Sequence, residues 1–250
     1  MSQKKRIVII GATSAMATHC ARIWAQGQVV DMTLVGRDSE KLERLANDLR
    51  ARSAKSNISV ILSGFTKASD IQTTVNALTG SGSIDITLIA HGSLSDQNQC
   101  ENDLHVCQTE LELNGISPML FAEAFVKKMV SANHGTVAVI GSVAGDRGRK
   151  SNYVYGAAKG LVTRYMQGLQ HRLAATNVKA VLIKPGPTDT PMTAALKSKG
   201  AKLAPVEDVA AQIVAAIEKG IPTVYAPGKW WLIMMIIRHL PAFVFNKMNI

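Results

Sequence analysis

Cysteine is scarce in this chain: Cys20, Cys100 and Cys107 are odd in number and show no Cys-x-x-Cys spacing. That argues against a disulfide framework or a cysteine-based zinc site, predicts no metal, and points to a reducing cytoplasm. Long apolar runs are missing too. The longest, residues 230–237, falls well short of the roughly 20 residues that a bilayer-spanning helix needs. Lys4-Lys5-Arg6 leads into an apolar stretch, 7–11, too short for the core of a signal peptide, so export is not expected. Acidic residues are few, 18 against 28 basic ones, for a formal charge of +10. Such a surplus suits a membrane surface, an anionic small molecule or nucleic acid. The chain has no zinc-finger spacing and no basic stripe interleaved with aromatics, so a nucleic-acid partner is not expected.

What is present is a core. The 250 residues are 47% hydrophobic, enough for one globular α/β domain. Short β-branched runs at 6–10, 32–35, 58–62, 84–89, 136–140 and 180–183 read as buried strands. Helical spacing of apolar residues occurs at 15–25, 39–51, 70–78, 104–130, 154–173 and 206–219. The alternation predicts a Rossmann fold, a doubly wound parallel sheet with helices on both faces, spanning residues 1–228. An apolar extension, 229–250, either belongs to the same domain or lies near a membrane. Ligands of such sheets sit beyond the carboxyl ends of the strands, where the topology changes direction.

Tyr155 and Lys159, at i and i+4, share one helix face and project into one cleft. A phenol holds its proton up to a pH of about 10, and a nearby cation favours its release. At the other end of the chain, the strand ending in Gly11 and the following Ala-Thr-Ser-Ala-Met make a tight turn into a helix. Such a turn lets backbone N–H groups of Gly11, Thr13, Ser14, Ala15 and Met16 meet a pyrophosphate. Ala15 and Ala17 stand where the strict dinucleotide pattern prefers glycine. The second strand ends in Gly36-Arg37-Asp38. A basic residue there suits a ribose 2′-phosphate, so Arg37 favours NADP(H) over NAD(H), while Asp38 either competes or caps the next helix.

With Gly11, Ser142, Tyr155 and Lys159 together, the sequence resembles the short-chain dehydrogenase/reductase family over nearly its whole length. The resemblance implies a catalytic tetrad of Asn114, Ser142, Tyr155 and Lys159. Tyr155 would donate a proton, and Lys159 would lower its pKa and hold the nicotinamide ribose. Ser142 would bind the carbonyl, and Asn114 would position a water. It also implies cofactor contacts from Ala90, Gly92, Tyr155, Lys159, Pro185, Gly186, Thr188 and Thr190, and a homodimer or homotetramer through long helices. Two positions depart from the family pattern. Ala90-His91-Gly92 replaces Asn-Ala-Gly, with His91 read as a core histidine, and Gly64 stands where an aspartate is usual. Phe65 either packs on the adenine or belongs to the core. The stretch from Ser142 to Tyr155 resembles the branch containing decaprenylphosphoryl-2-keto-ribose reductases.

Arg147, Arg149 and Lys150 lie between Ser142 and Tyr155, so Arg147 and Arg149, with Met192 further on, are candidate substrate contacts; alternatively the loop is simply solvated. Lys197, Lys199 and Lys202 follow the nicotinamide-contacting segment, where the resemblance implies a mobile substrate lid; alternatively they only solubilise the surface. Residues 230–237, with tryptophans at one end, flanking cations and Pro241 beyond, read as a helix stopping after His239 that meets a membrane interface, a substrate or another subunit. The expected activity is NADPH-dependent reduction of a ketone, on a keto sugar or lipid-linked substrate, in the cytoplasm or at the inner face of a membrane. Reduction of acyl, steroid or other hydrophobic ketones, or NADP binding without turnover, are the alternatives.

Overall fold

The computed structural model describes residues 4–94 and 96–248. Seven parallel strands form one sheet: β1 (Lys5–Ile10), β2 (Val30–Gly36), β3 (Asn57–Leu62), β4 (Ile86–Ile89), β5 (Thr136–Ile140), β6 (Lys179–Pro185) and β7 (Thr223–Ala226). Their order is β3-β2-β1-β4-β5-β6-β7. The chain therefore winds outward from β1 in one direction and then from β4 in the other, and the crevice between those two strands is the switch point.

Side chains alternate across the sheet as the two-residue strand period requires. Ile7 and Ile9 join one core layer with Leu34, Leu88 and Ile183, covered by α1 (Ala15–Gly27), α2 (Ser39–Arg52) and α9 (Val206–Lys219). Val8 and Ile10 join the opposite layer with Val139 and Leu182, covered by α3 (Ala68–Thr79), α6 (Ser117–Ala132) and α7 (Tyr153–Leu173). Burial on both faces explains why these strands read as continuous apolar runs.

The helix expected over 104–130 is interrupted. It comprises α5 (Leu104–Leu111), a π-helical turn (Glu112–Ile116) and then α6. Pro118 has no N–H to close on Asn114 O, and the Ser117 N–H bonds Glu112 O, five residues back. The π turn thus falls on Asn114. Short elements outside the sequence reading include α4 (Gln97–Asn102), α8 (Ala194–Ser198) and edge strand β7.

After β7, α10 (Lys229–His239) stops ahead of Pro241, and α11 (Ala242–Phe245) follows. This hairpin is fixed to the body. Met234 is buried, and the Trp230 indole sits against Gly186, where an added Cβ would lie 1.9 Å from Nε1. Arg147 donates to Ile237 O at 2.6 Å and Leu240 O at 2.7 Å, and its guanidinium lies 3.8 Å from the Phe245 ring centre. Beside it, Lys184 and Asp146 form an ion pair with side chains 3% and 2% exposed, and the Tyr225 hydroxyl donates to the other Asp146 oxygen at 2.8 Å. These contacts tie the loop after β5 to β6 and β7. Removing one partner of a buried pair strands the other charge at a cost of roughly 3–5 kcal/mol. Asp146→Ala is therefore expected to lower the unfolding free energy by about that amount in urea titration; a loss below about 1 kcal/mol, the exposed-pair range, would contradict this.

Candidate functional site

A cleft of about 900 Å³ opens at the carboxyl ends of the strands, across the switch point. At one end β1 turns through Gly11, whose φ of 77° suits glycine and whose added Cβ would lie 2.6 Å from the His91 backbone nitrogen. The turn delivers Thr13, Ser14, Ala15 and Met16 to the cleft at the start of α1, whose first turn is capped by Ser14 accepting from Ala17 N–H. A helix N-terminus behind a glycine turn fits the pyrophosphate of a dinucleotide.

Arg37 and Asp38 reach the same end from β2. Asp38 caps α2, accepting from the Lys41 N–H at 3.0 Å and pairing with its ammonium at 3.1 Å. These contacts, the backbone hydrogen bond first, hold its carboxyl below the usual range. Arg37 instead lies 5.6 Å over the Phe65 ring and has no carboxylate partner among the described residues. Phe65 lines the cleft and is also packed, its ring 4.7 Å from His91 and edge-on to Phe121 at 5.9 Å.

His91 is buried, 2.7 Å from Ser117 Oγ through Nε2. Ser117 spends its own proton on Phe65 O, so Nε2 must be the donor, which fixes the neutral tautomer and leaves buried Nδ1 without a partner. Burial, then the charges of Lys159 and Arg37, pushes the imidazole pKa down to about 3. Next to it, Gly92 (φ 156°) lets the backbone pass Asn114, whose Oδ1 would be 2.8 Å from an added Cβ. Asn114 is fully buried and committed: Oδ1 accepts from Ser93 N–H at 2.9 Å, and Nδ2 donates to Glu110 at 2.8 Å and to Ser93 Oγ at 3.1 Å. Ser93 Oγ donates to the same Glu110 oxygen at 2.5 Å. The sequence reading missed Glu110 and Ser93; the signal was i, i+4 spacing, which puts Glu110 one turn before Asn114.

Across the cleft, Ser142 ends β5 in extended conformation and caps the next turn by accepting from Ala144 N–H. Gly145 lets that loop rest on α7, since its Cβ would lie 2.5 Å from Lys159 C. Lys159 is 3% exposed, donates to Ile140 O at 3.1 Å, and stands 5.8 Å from the centre of the Tyr155 ring. Burial lowers its pKa to about 8. Burial raises the Tyr155 pKa, and the two influences that lower it are the Ser142 hydroxyl and then the charge of Arg149.

Ala90, Gly92, Pro185, Gly186, Thr188, Thr190 and Met192 also line the cleft, as does Arg149, which has no acidic partner among the described residues. Arg147 does not. It is turned away onto the last carbonyls of α10 and onto Phe245, so its guanidinium is spent on the C-terminal hairpin and not offered to a substrate. Lys197 likewise pairs with Asp189 at 2.5 Å.

The profile of the short chain dehydrogenase family matches residues 5–201, and the chain belongs to that family. It is an oxidoreductase of a fold that binds NAD(P). It is similar to an uncharacterized oxidoreductase of Streptomyces coelicolor, 28% identical over 98% of this chain and 96% of the other. A second such relative, from Mycobacterium tuberculosis, is 29% identical over 97% and 96%. Among solved structures, a short-chain type dehydrogenase/reductase from Mycobacterium ulcerans superposes with a TM-score of 0.82 over 99% of both chains at 19% identity. A variant of actinorhodin polyketide ketoreductase solved with NADPH gives 0.80 at 18% identity, covering 90% of this chain and 97% of the other. At these identities the structural likenesses speak for the fold.

The buried ammonium has a consequence for stability. The folded pKa of Lys159, about 8, lies below the unfolded value of about 10.4, so across that window the unfolded chain binds more protons and stability rises with pH. Without cofactor, the unfolding free energy of the wild type relative to Lys159→Met is expected to be flat below about pH 8 and to climb toward pH 10. A difference independent of pH would contradict the burial argument.

Proposed function

We propose that the protein reduces a ketone to a secondary alcohol with NADPH. The observation that carries this is the convergence of Ser142, Tyr155 and Lys159 at one end of a cleft whose other end offers Arg37 without a counter-charge. When bound, the cofactor supplies the hydride. Gly11 to Met16 receive its pyrophosphate, Arg37 its 2′-phosphate, Pro185, Gly186, Thr188 and Thr190 its nicotinamide end, and Lys159 the nicotinamide ribose.

The chain's own residues do the rest. The Ser142 hydroxyl holds the carbonyl oxygen, and the Tyr155 hydroxyl donates a proton to the developing alkoxide. The charges of Arg149 and of Lys159, the latter 5.8 Å from the ring centre, favour the phenolate left behind. Asn114, locked by Ser93 and Glu110, holds the wall along which a water returns the proton.

Arg149 is a cation in the substrate end without an acidic partner, which supports an anionic substrate such as a phosphorylated, lipid-linked keto sugar. Leu94, Leu113, Met192 and Leu196 give the same end an apolar lining and favour, as a second reading, acyl, steroid or other hydrophobic ketones. Exposed Ile116 and Leu161 support assembly as a homodimer or homotetramer through the long helices. The apolar C-terminal segment supports work at the cytoplasmic face of a membrane.

Tyr155→Phe is expected to keep the fluorescence change of bound NADPH while lowering kcat on a ketone panel by at least about 100-fold. Cofactor binding by the wild type with no turnover of any ketone would instead favour a regulatory protein. NADPH is expected to bind at least about tenfold more tightly than NADH, and Arg37→Ala to erase that preference. Equal binding of NADH to the wild type would overturn the role given to Arg37.

A further inference from the structure

Among the described residues no helix is long and apolar enough to cross a membrane. The C-terminal hairpin nevertheless presents an apolar face that none of the described residues covers. Trp231, Leu232 and Ile236 are 56%, 59% and 59% exposed, and Phe243 on α11 is 71% exposed. This is not a loose tail. Trp230 under Gly186, buried Met234 and the Arg147 clamp fix the opposite side of the hairpin to the body, so the exposed side is held outward.

At about 100° per residue, Trp231, Met235, Leu232 and Ile236 fall in one arc of α10, with Arg238 on one border and Lys229 on the other. His239 follows within that arc and Lys247 lies past α11. After Glu218 the sequence contains no aspartate or glutamate at all. An apolar strip with a tryptophan, edged by cations and free of carboxylates, has the composition of a helix lying in the headgroup region of an anionic bilayer. The same charges oppose a second copy of this chain. A two-fold contact through this face would bring Lys229 and Arg238 near their own counterparts with no acid in the segment to neutralise them.

We infer that the exposed face of α10 and α11 docks the protein peripherally on an anionic lipid surface, with Trp231, Leu232, Ile236 and Phe243 entering the interface and Lys229, Arg238 and Lys247 meeting the headgroups. This inference is independent of the ketone-reductase reading, because its test involves no turnover.

Flotation of the full chain with phosphatidylcholine vesicles, with and without phosphatidylglycerol, decides it. The wild type is expected to float with the anionic vesicles at least about tenfold more than with neutral ones, less so as salt is raised. Leu232→Glu with Ile236→Glu should reduce flotation at least about tenfold while melting temperature and NADPH fluorescence stay unchanged. Lys229→Glu with Arg238→Glu, which keeps the apolar strip, should remove the preference for anionic vesicles. Failure of the wild type to float, equal flotation on both vesicle types, or flotation unaffected by the paired substitutions would overturn the inference. So would a soluble oligomer that Leu232→Glu with Ile236→Glu dissociates without any vesicle binding, since the face would then belong to a second copy.

Discussion

The active end of this molecule is organised around a buried ammonium with no counter-charge among the described residues. Lys159 reaches from α7 to the last carbonyl of β5 at 3.1 Å, and burial makes its proton correspondingly loose. Holding a lysine in that position constrains everything around it. Gly145 must lack a side chain so that the loop after β5 can lie on α7, and Gly92 must lack one so that the strand-end backbone can pass Asn114. The loop between β5 and α7 then carries Ser142 and Arg149 to the same cleft, and its far side is anchored by the Asp146–Lys184 pair to β6 and by Arg147 to the C-terminal hairpin. A site that is expensive to hold is thus braced from two directions by charge.

Two cations with different surroundings divide the electrostatic work. Lys159 is buried, donates to Ile140 O and lies 5.8 Å from the centre of the Tyr155 ring, while the charge of Arg149 works against the burial that raises the Tyr155 pKa. His91 offers no third titrating group, because its hydrogen bond to Ser117 and its burial keep it neutral. The cleft is therefore positive at the end where a carbonyl would turn into an alkoxide, and positive again at Arg37, with Asp38 absorbed by its helix cap between them.

Much of this was legible in the sequence, and the exceptions have physical reasons. The strands announced themselves because both faces of the sheet are covered, and α7 because Tyr155 and Lys159 share its inward face. Pro241 marked the end of α10. Pro118 carried an equally explicit signal, a missing donor for Asn114 O, yet helical periodicity over 104–130 hid the π turn because apolar residues continue through it. Edge strand β7 is only four residues long and half covered, too short for a pattern. Arg147 could not be placed from its neighbours in the chain, since its partners Ile237 and Leu240 lie about ninety residues away and the loop it belongs to does reach the cleft. The Asp146–Lys184 pair is non-local in the same sense.

If this cleft moves a hydride to a carbonyl carbon as proposed, an isotope on the cofactor must follow it. NADPH carrying deuterium at the transferable position of nicotinamide C4 would be mixed with the protein and a panel of keto compounds, including phosphorylated keto sugars and hydrophobic ketones, and the alcohols analysed by mass spectrometry. The expected product is an alcohol with deuterium on its carbinol carbon. A cofactor that binds but keeps its label against every ketone in the panel would contradict it.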